Sequence, residues 1–113
     1  MKKINFNNKN FVLLKNTKSG TVNSDTVFKF MQKGNLVTAD YHGSMVTYGK
    51  IIAYLEKDTL EMLYHCLTAE NELKAGKAQA KISLTEDQKI TLRLDWKWLT
   101  GDKSHGESIY SEV

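Results

Sequence analysis

Lys89-Ile90-Thr91-Leu92-Arg93-Leu94-Asp95-Trp96-Lys97-Trp98 alternates polar and apolar residues without a break. Ile90, Leu92, Leu94, Trp96 and Trp98 fall on one side, and Lys89, Thr91, Arg93, Asp95 and Lys97 on the other. Successive side chains of a β-strand point to opposite faces, so such a segment buries one face and wets the other. On a helix the same apolar residues would wrap all the way round. The stretch therefore predicts an antiparallel all-β protein with a one-sided core.

Working outward, turn signals recur at short spacing: Asn7-Asn8-Lys9-Asn10, Lys15 to Gly20, Lys33-Gly34-Asn35, His42-Gly43-Ser44, Lys57-Asp58, Ala69 to Glu72, Thr85 to Gln88 and Thr100 to Lys103. Gly and Asn tolerate the positive φ that hairpins demand. Between the turns lie segments rich in Thr, Val, Ile, Tyr, Phe and Trp, which predict strands near 11–15, 25–32, 36–42, 45–55, 59–68, 73–84, 89–99 and 104–111. Thr59–Ala69 and Glu70–Lys81 are the two places where a helix competes. Leu60, Met62 and Tyr64 alternate with Glu61 and His65, and Gly76 sits badly inside a helix, so strands are favoured in both.

Short turns join neighbours, which predicts an up-and-down meander. Eight such strands with one wet face are predicted to close into a barrel of the lipocalin or avidin kind, which removes both sheet edges. The interior of an eight-stranded barrel is wide enough for side chains or for one small ligand. The expected inward set is Phe28, Phe30, Val37, Ala39, Tyr41, Gly49, Ile51, Ala53, Leu60, Met62, Tyr64, Leu92, Leu94, Trp96 and Trp98.

The 113 residues suit one domain, 1–113, with 41% hydrophobic and 26% charged residues. No run approaches the roughly 18 apolar residues of a membrane helix, and the two opening lysines are not followed by the apolar stretch of an export signal. Cys66 stands alone, so no internal disulfide forms, which fits a reducing cytoplasm. Net charge is +3, too weak to argue for nucleic acid. Residues 1–50 carry eight lysines against Asp25 and Asp40 alone. That bias reads as protection of a sheet edge, with a patch for an acidic partner as the alternative.

Candidate chemistry is sparse. His42, His65 and His105 stand 23 and 40 residues apart, and no second cysteine supports a Cys/His cluster, so neither metal nor cofactor is expected. His65 and Cys66 adjoin on one strand and must point to opposite faces, which disfavours a nucleophile pair. Cys66 reads as a small buried hydrophobe. Asp40 and Asp95 fall on the wet face, and no carboxylate pair has the spacing of a general acid and base. The best ligand candidates are Trp96 and Trp98, two residues apart on one face. They either plug the barrel as core or wall a pocket that stacks on a flat ligand. Tyr41 and Tyr64 add hydroxyls whose partners would be a ligand or water.

Several segments together resemble a known family: Ser24-Asp25-Thr26-Val27-Phe28, Tyr41-His42-Gly43-Ser44, Gly49-Lys50-Ile51-Ile52, and Trp96-Lys97-Trp98-Leu99-Thr100-Gly101-Asp102-Lys103-Ser104 followed by Gly106-Glu107-Ser108-Ile109. These are similar to small bacterial proteins of about this length, often labelled N-acetylglutamate synthase. The resemblance would imply acetyl transfer from acetyl-CoA. The residues offer no strand, Gly-rich loop and helix N-terminus to cradle a pyrophosphate. Structurally, Thr100-Gly101-Asp102 reads as a hairpin, and Gly106 would let the returning strand pass close to an indole.

The expectation is a non-enzymatic binding module for a small, partly apolar or aromatic ligand, with a homodimer compatible. Two alternatives are a solid barrel that recruits a partner or a second copy by a lysine-rich face or a strand edge, and the acetyltransferase that the label implies.

Overall fold

The computed structural model describes residues 4–16, 26–43, 45–100, 103 and 105–113, with Lys15 and Asn16 described by backbone alone. Eight strands follow one another: β1 (Lys9–Asn16), β2 (Val27–Lys33), β3 (Leu36–His42), β4 (Val46–Glu56), β5 (Thr59–Thr68), β6 (Leu73–Leu84), β7 (Ile90–Trp98) and β8 (His105–Glu112). Each pairs antiparallel with the next, and β1 pairs with β8, so the sheet closes on itself. Every predicted strand lies within two residues of an observed one, and both segments where a helix competed are strands. Asp25, Gly101 and Asp102 lie outside the described residues, as do Ser44 and the Lys15–Gly20 turn from residue 17 onward.

Alternation decides which side chains enter. The buried pattern of β7 runs inward at Ile90, Leu92, Leu94, Trp96 and Trp98. The expected inward set is buried throughout, except that Tyr64 is only half-buried. A bulge between Val46 and Tyr48 shifts the phase of β4, so Val46 and Gly49 face inward while Thr47 and Tyr48 face out. At the two-residue β2–β3 connection Gly34 takes a φ of 61°, and at the β4–β5 connection Lys57 takes 55°.

Closure corrects one expectation. β1 lies between β2 and β8, so none of the eight described strands has a free edge to protect. Among the described lysines of the first half, Lys29, Lys33 and Lys50 are exposed, and the Lys9 ammonium meets the Glu112 carboxylate at 2.8 Å across the β1–β8 seam. Recruitment through a strand edge falls for the same reason. The described residues include no helix, and so none long and apolar enough to cross a membrane.

Candidate functional site

The two ends of the barrel differ. At the end bearing the β2–β3, β4–β5 and β6–β7 turns, Phe6, Phe11 and Phe30 form one aromatic cluster with ring centroids 5.0–5.8 Å apart. Phe6 and Phe11 have no exposed surface. The segment before β1 is pinned across this end, because the Phe6 N–H donates to Gln32 Oε1 at 2.8 Å and the Asn8 N–H to the Phe30 carbonyl at 3.0 Å. This end is sealed.

The opposite half gathers the four predicted site residues, Tyr41, Tyr64, Trp96 and Trp98, on β3, β5 and β7. Tyr64 and Trp98 meet edge to face at 5.1 Å. The ammonium of Lys74 on β6 lies 4.9 Å from the centroid of the Trp98 ring, a cation–π contact at the mouth. Phe28 stacks on Tyr41 at 4.9 Å and meets Tyr110 at 4.8 Å.

Two glycines direct the tyrosine rings. Tyr41 is paired with Gly49 and Tyr64 with Gly76, and in each pair the ring lies flat where a Cβ would stand. Each hydroxyl thus crosses the neighbouring strand and reaches the wall beyond it. Tyr41 donates to the His65 carbonyl at 3.4 Å, and Tyr64 to the Lys97 carbonyl at 3.5 Å. Both bonds are long. The sequence reading gave these hydroxyls to a ligand or water; the structure turns them to backbone carbonyls. Burial pushes both phenols well above the ordinary tyrosine range, with the neighbouring Cys66 adding to the shift at Tyr41. Both stay neutral donors at any physiological pH.

Sequence reasoning missed Ser108 and Tyr110. The Trp96 indole N–H donates to Ser108 Oγ at 2.7 Å, and the Ser108 hydroxyl in turn bonds Tyr110. Burial raises the Tyr110 phenol too, opposed by that bond. The signal for this relay was period two along β8, where Gly106, Ser108 and Tyr110 share a face. Gly106 pairs with Trp96 in the register of β7 and β8.

Cys66 is buried and His65 exposed, on opposite faces as expected. Burial pushes the Cys66 thiol up, against a bond from the Tyr41 hydroxyl and the charge of Lys74, so it is a poor nucleophile. His42 and His105 are exposed, as are Asp40 and Asp95. Among the described residues the site combines an aromatic wall, neutral phenol hydroxyls and the Lys74 cation over Trp98.

The family model for avidin-like proteins matches residues 4–113. The chain belongs to the avidin-like family. That membership accords with the closed eight-stranded meander of this avidin-like barrel, and it lends nothing to the N-acetylglutamate synthase label. A search of curated proteins returned no match, nor did a search of solved structures.

Proposed function

We propose that this chain is a single-domain, non-enzymatic binding module that takes one small, flat, partly apolar or aromatic ligand at the barrel end where Tyr41, Tyr64, Trp96 and Trp98 gather. The observation that carries the reading is the contrast between the ends. The interior of one is plugged by the rings of Phe6, Phe11 and Phe30, while the other ends in Tyr64 and Trp98 beneath the Lys74 ammonium. Tyr64 and Trp98 would wall the ligand, and Lys74 would meet an anionic group on it. Trp96 sits deeper, with its N–H held by Ser108, and would form the floor. Membership of a family named for a ligand-binding barrel supports the same reading. The lone Cys66 suits work in the cytoplasm.

A second reading is a solid barrel that acts only through its surface. It is favoured by the two tyrosine hydroxyls, which are turned to wall carbonyls rather than to the interior.

Native mass spectrometry of the protein, purified gently from its host's lysate, separates the two. A reproducible extra mass that disappears on denaturation and is lost in Trp98→Ala supports the module. The bare chain mass of 12.9 kDa, with tryptophan fluorescence unmoved by titrated biotin, supports the solid barrel. Biotin is the first compound to titrate, because the family carries avidin's name.

A further inference from the structure

On the outer wall of β6, β7 and β8 the charges fall in rows that run across the strands. Lys77 pairs with Lys97, and Lys97 with His105. All three side chains are exposed. One step toward the plugged end, the next outward row is Gln79, Asp95 and Glu107. One step toward the mouth, Leu99 donates its N–H to the Ala75 carbonyl at 2.8 Å. Like charges directly opposite each other on neighbouring strands destabilise a sheet. Elsewhere on the wall such charges are answered: Arg93 by Glu107 at 2.8 Å, Lys50 by Asp40 at 3.2 Å and Lys9 by Glu112 at 2.8 Å. Among the described residues, Lys77, Lys97 and His105 enter no ion pair. The fold gains nothing from setting Lys77 against Lys97, so the pair points to a use outside the fold.

We infer that this row seats an extended acidic segment of a partner protein, laid across β6, β7 and β8. The inference rests on the outer wall alone and is independent of any ligand inside the barrel. Three observations select that occupant. First, the cationic row is narrow. The carboxylates of Asp95 and Glu107 belong to a row about 7 Å away, two residues along each strand. A broad anionic surface such as a lipid headgroup layer would press on those carboxylates, whereas a single extended chain fits on the cationic row by itself. Second, the spacing suits a peptide. Lys77 and His105 stand two strand separations apart, about 10 Å. Alternate side chains of an extended peptide are about 7 Å apart on one side, so two or three acidic residues cover the row. Third, no aromatic side chain points outward from β6, β7 or β8. A single nucleic-acid strand would therefore find no ring on which to stack its bases. The closed sheet offers no edge to which the segment could add as a strand, so it docks through its side chains. Leu99, 45% exposed, borders the row on the mouth side and offers one apolar contact.

Fluorescence anisotropy of a labelled peptide titrated with the full chain tests the inference. The probe is a short peptide of alternating glutamate and serine that ends in one leucine. At low salt it should bind with a dissociation constant of roughly 10–100 µM, and added salt should weaken it. The double variant Lys77→Glu, Lys97→Glu should raise that constant at least ~30-fold. The charge-matched double variant Lys29→Glu, Lys33→Glu alters exposed sites on β2 and should raise it less than about threefold, because distant surface charges are screened. Lys97→Glu alone should weaken the peptide yet leave the melting temperature unchanged or higher, since it puts opposite charges where like ones stood. Binding weaker than about 1 mM overturns the inference. Equal losses in the two double variants overturn it as well, because net charge rather than the row would then be at work. Tighter capture of a labelled oligothymidine, or of vesicles of anionic phospholipid, overturns the choice of a peptide. A Lys97→Glu barrel that melts well below its parent overturns the premise that the pair is a cost to the fold.

Discussion

Tyr41 and Tyr64 stand where Gly49 and Gly76 have no side chains, and each ring is held in the place of the missing Cβ. This arrangement lets two large rings lie against the wall of a narrow barrel instead of crossing it. The consequence differs at the two sites because the rings differ in freedom. Tyr41 is 2% exposed and wedged under Phe28, so a methyl group at position 49 has nowhere to push it. Gly49→Ala should lower the unfolding free energy by about 1–3 kcal/mol, the usual range for overpacking. Tyr64 is half-buried at the mouth and its ring can swing outward, so Gly76→Ala should cost less. Urea unfolding of the two variants checks this, and a Gly49→Ala protein as stable as its parent would show that the Tyr41 ring is not pinned. Ser108 is the other telling residue. It accepts the Trp96 N–H and bonds Tyr110 inside the barrel, so Ser108→Ala strands two buried polar groups at once. The expected loss is about 1–3 kcal/mol in the same measurement. An unchanged midpoint would mean that the relay is not formed in solution.

At the scale of elements, β1 is the strand that decides closure. Among the described residues its pairing with β2 runs from Lys9 to Val12, and its register with β8 slips between Leu13 and Lys15. Glu112 reinforces this seam: its carboxylate takes the Lys9 ammonium at 2.8 Å and the Ile90 backbone N–H at 2.9 Å. Partial desolvation of the Glu112 side chain raises its pKa, but the bonds from Lys9 and Ile90 and the charges of Lys9 and Lys89 outweigh it, and the net direction is down. A carboxyl group whose folded pKa is depressed adds stability that is present above its unfolded pKa and is lost as pH falls through the folded value. The barrel should therefore weaken as the solution is acidified below the ordinary carboxylate range. Glu112→Gln should be less stable at neutral pH and show a flatter acid limb. Thermal melts from pH 7 down to pH 2 read both, and parallel curves for parent and variant would sink the assignment. Element boundaries were legible in the sequence wherever inward positions are apolar and outward ones polar, as in β7. β8 was harder, because its inward positions are Gly106, Ser108 and Tyr110 while Ile109 points away, so hydropathy alone offers no phase. That is why the relay through Ser108 went unread. Phe6 lay outside any alternating segment, and its burial depends on a turn at Asn8, with φ of 62°, which a hydropathy pattern does not encode.

For the whole molecule, the decisive property is the asymmetry between an end whose interior is plugged by three phenylalanine rings and an end where Tyr64, Trp98 and Lys74 meet. Phe6 is enclosed by Phe11 and Phe30 and its backbone is tied to Gln32, so truncation leaves a cavity the closed sheet cannot collapse around. Phe6→Ala should cost about 3–5 kcal/mol, the usual range for deleting a buried ring. Trp98 is nearly as buried, at 5% exposure, yet its neighbours are a half-buried tyrosine and a half-buried lysine. Tyr64 and Lys74 can close over the gap, so Trp98→Ala should cost at least ~1 kcal/mol less than Phe6→Ala. Chemical denaturation of the two variants in the absence of any ligand makes the comparison directly. The magnitude matters for function as well as stability. A ligand end must tolerate being opened and refilled, whereas a plug need not, and a ligand that fills the gap stabilises the barrel by mass action. If Trp98→Ala proves as damaging as Phe6→Ala, both ends are equally solid. The aromatic cluster at the mouth would then be core, and the barrel's outer face would be left as its working surface.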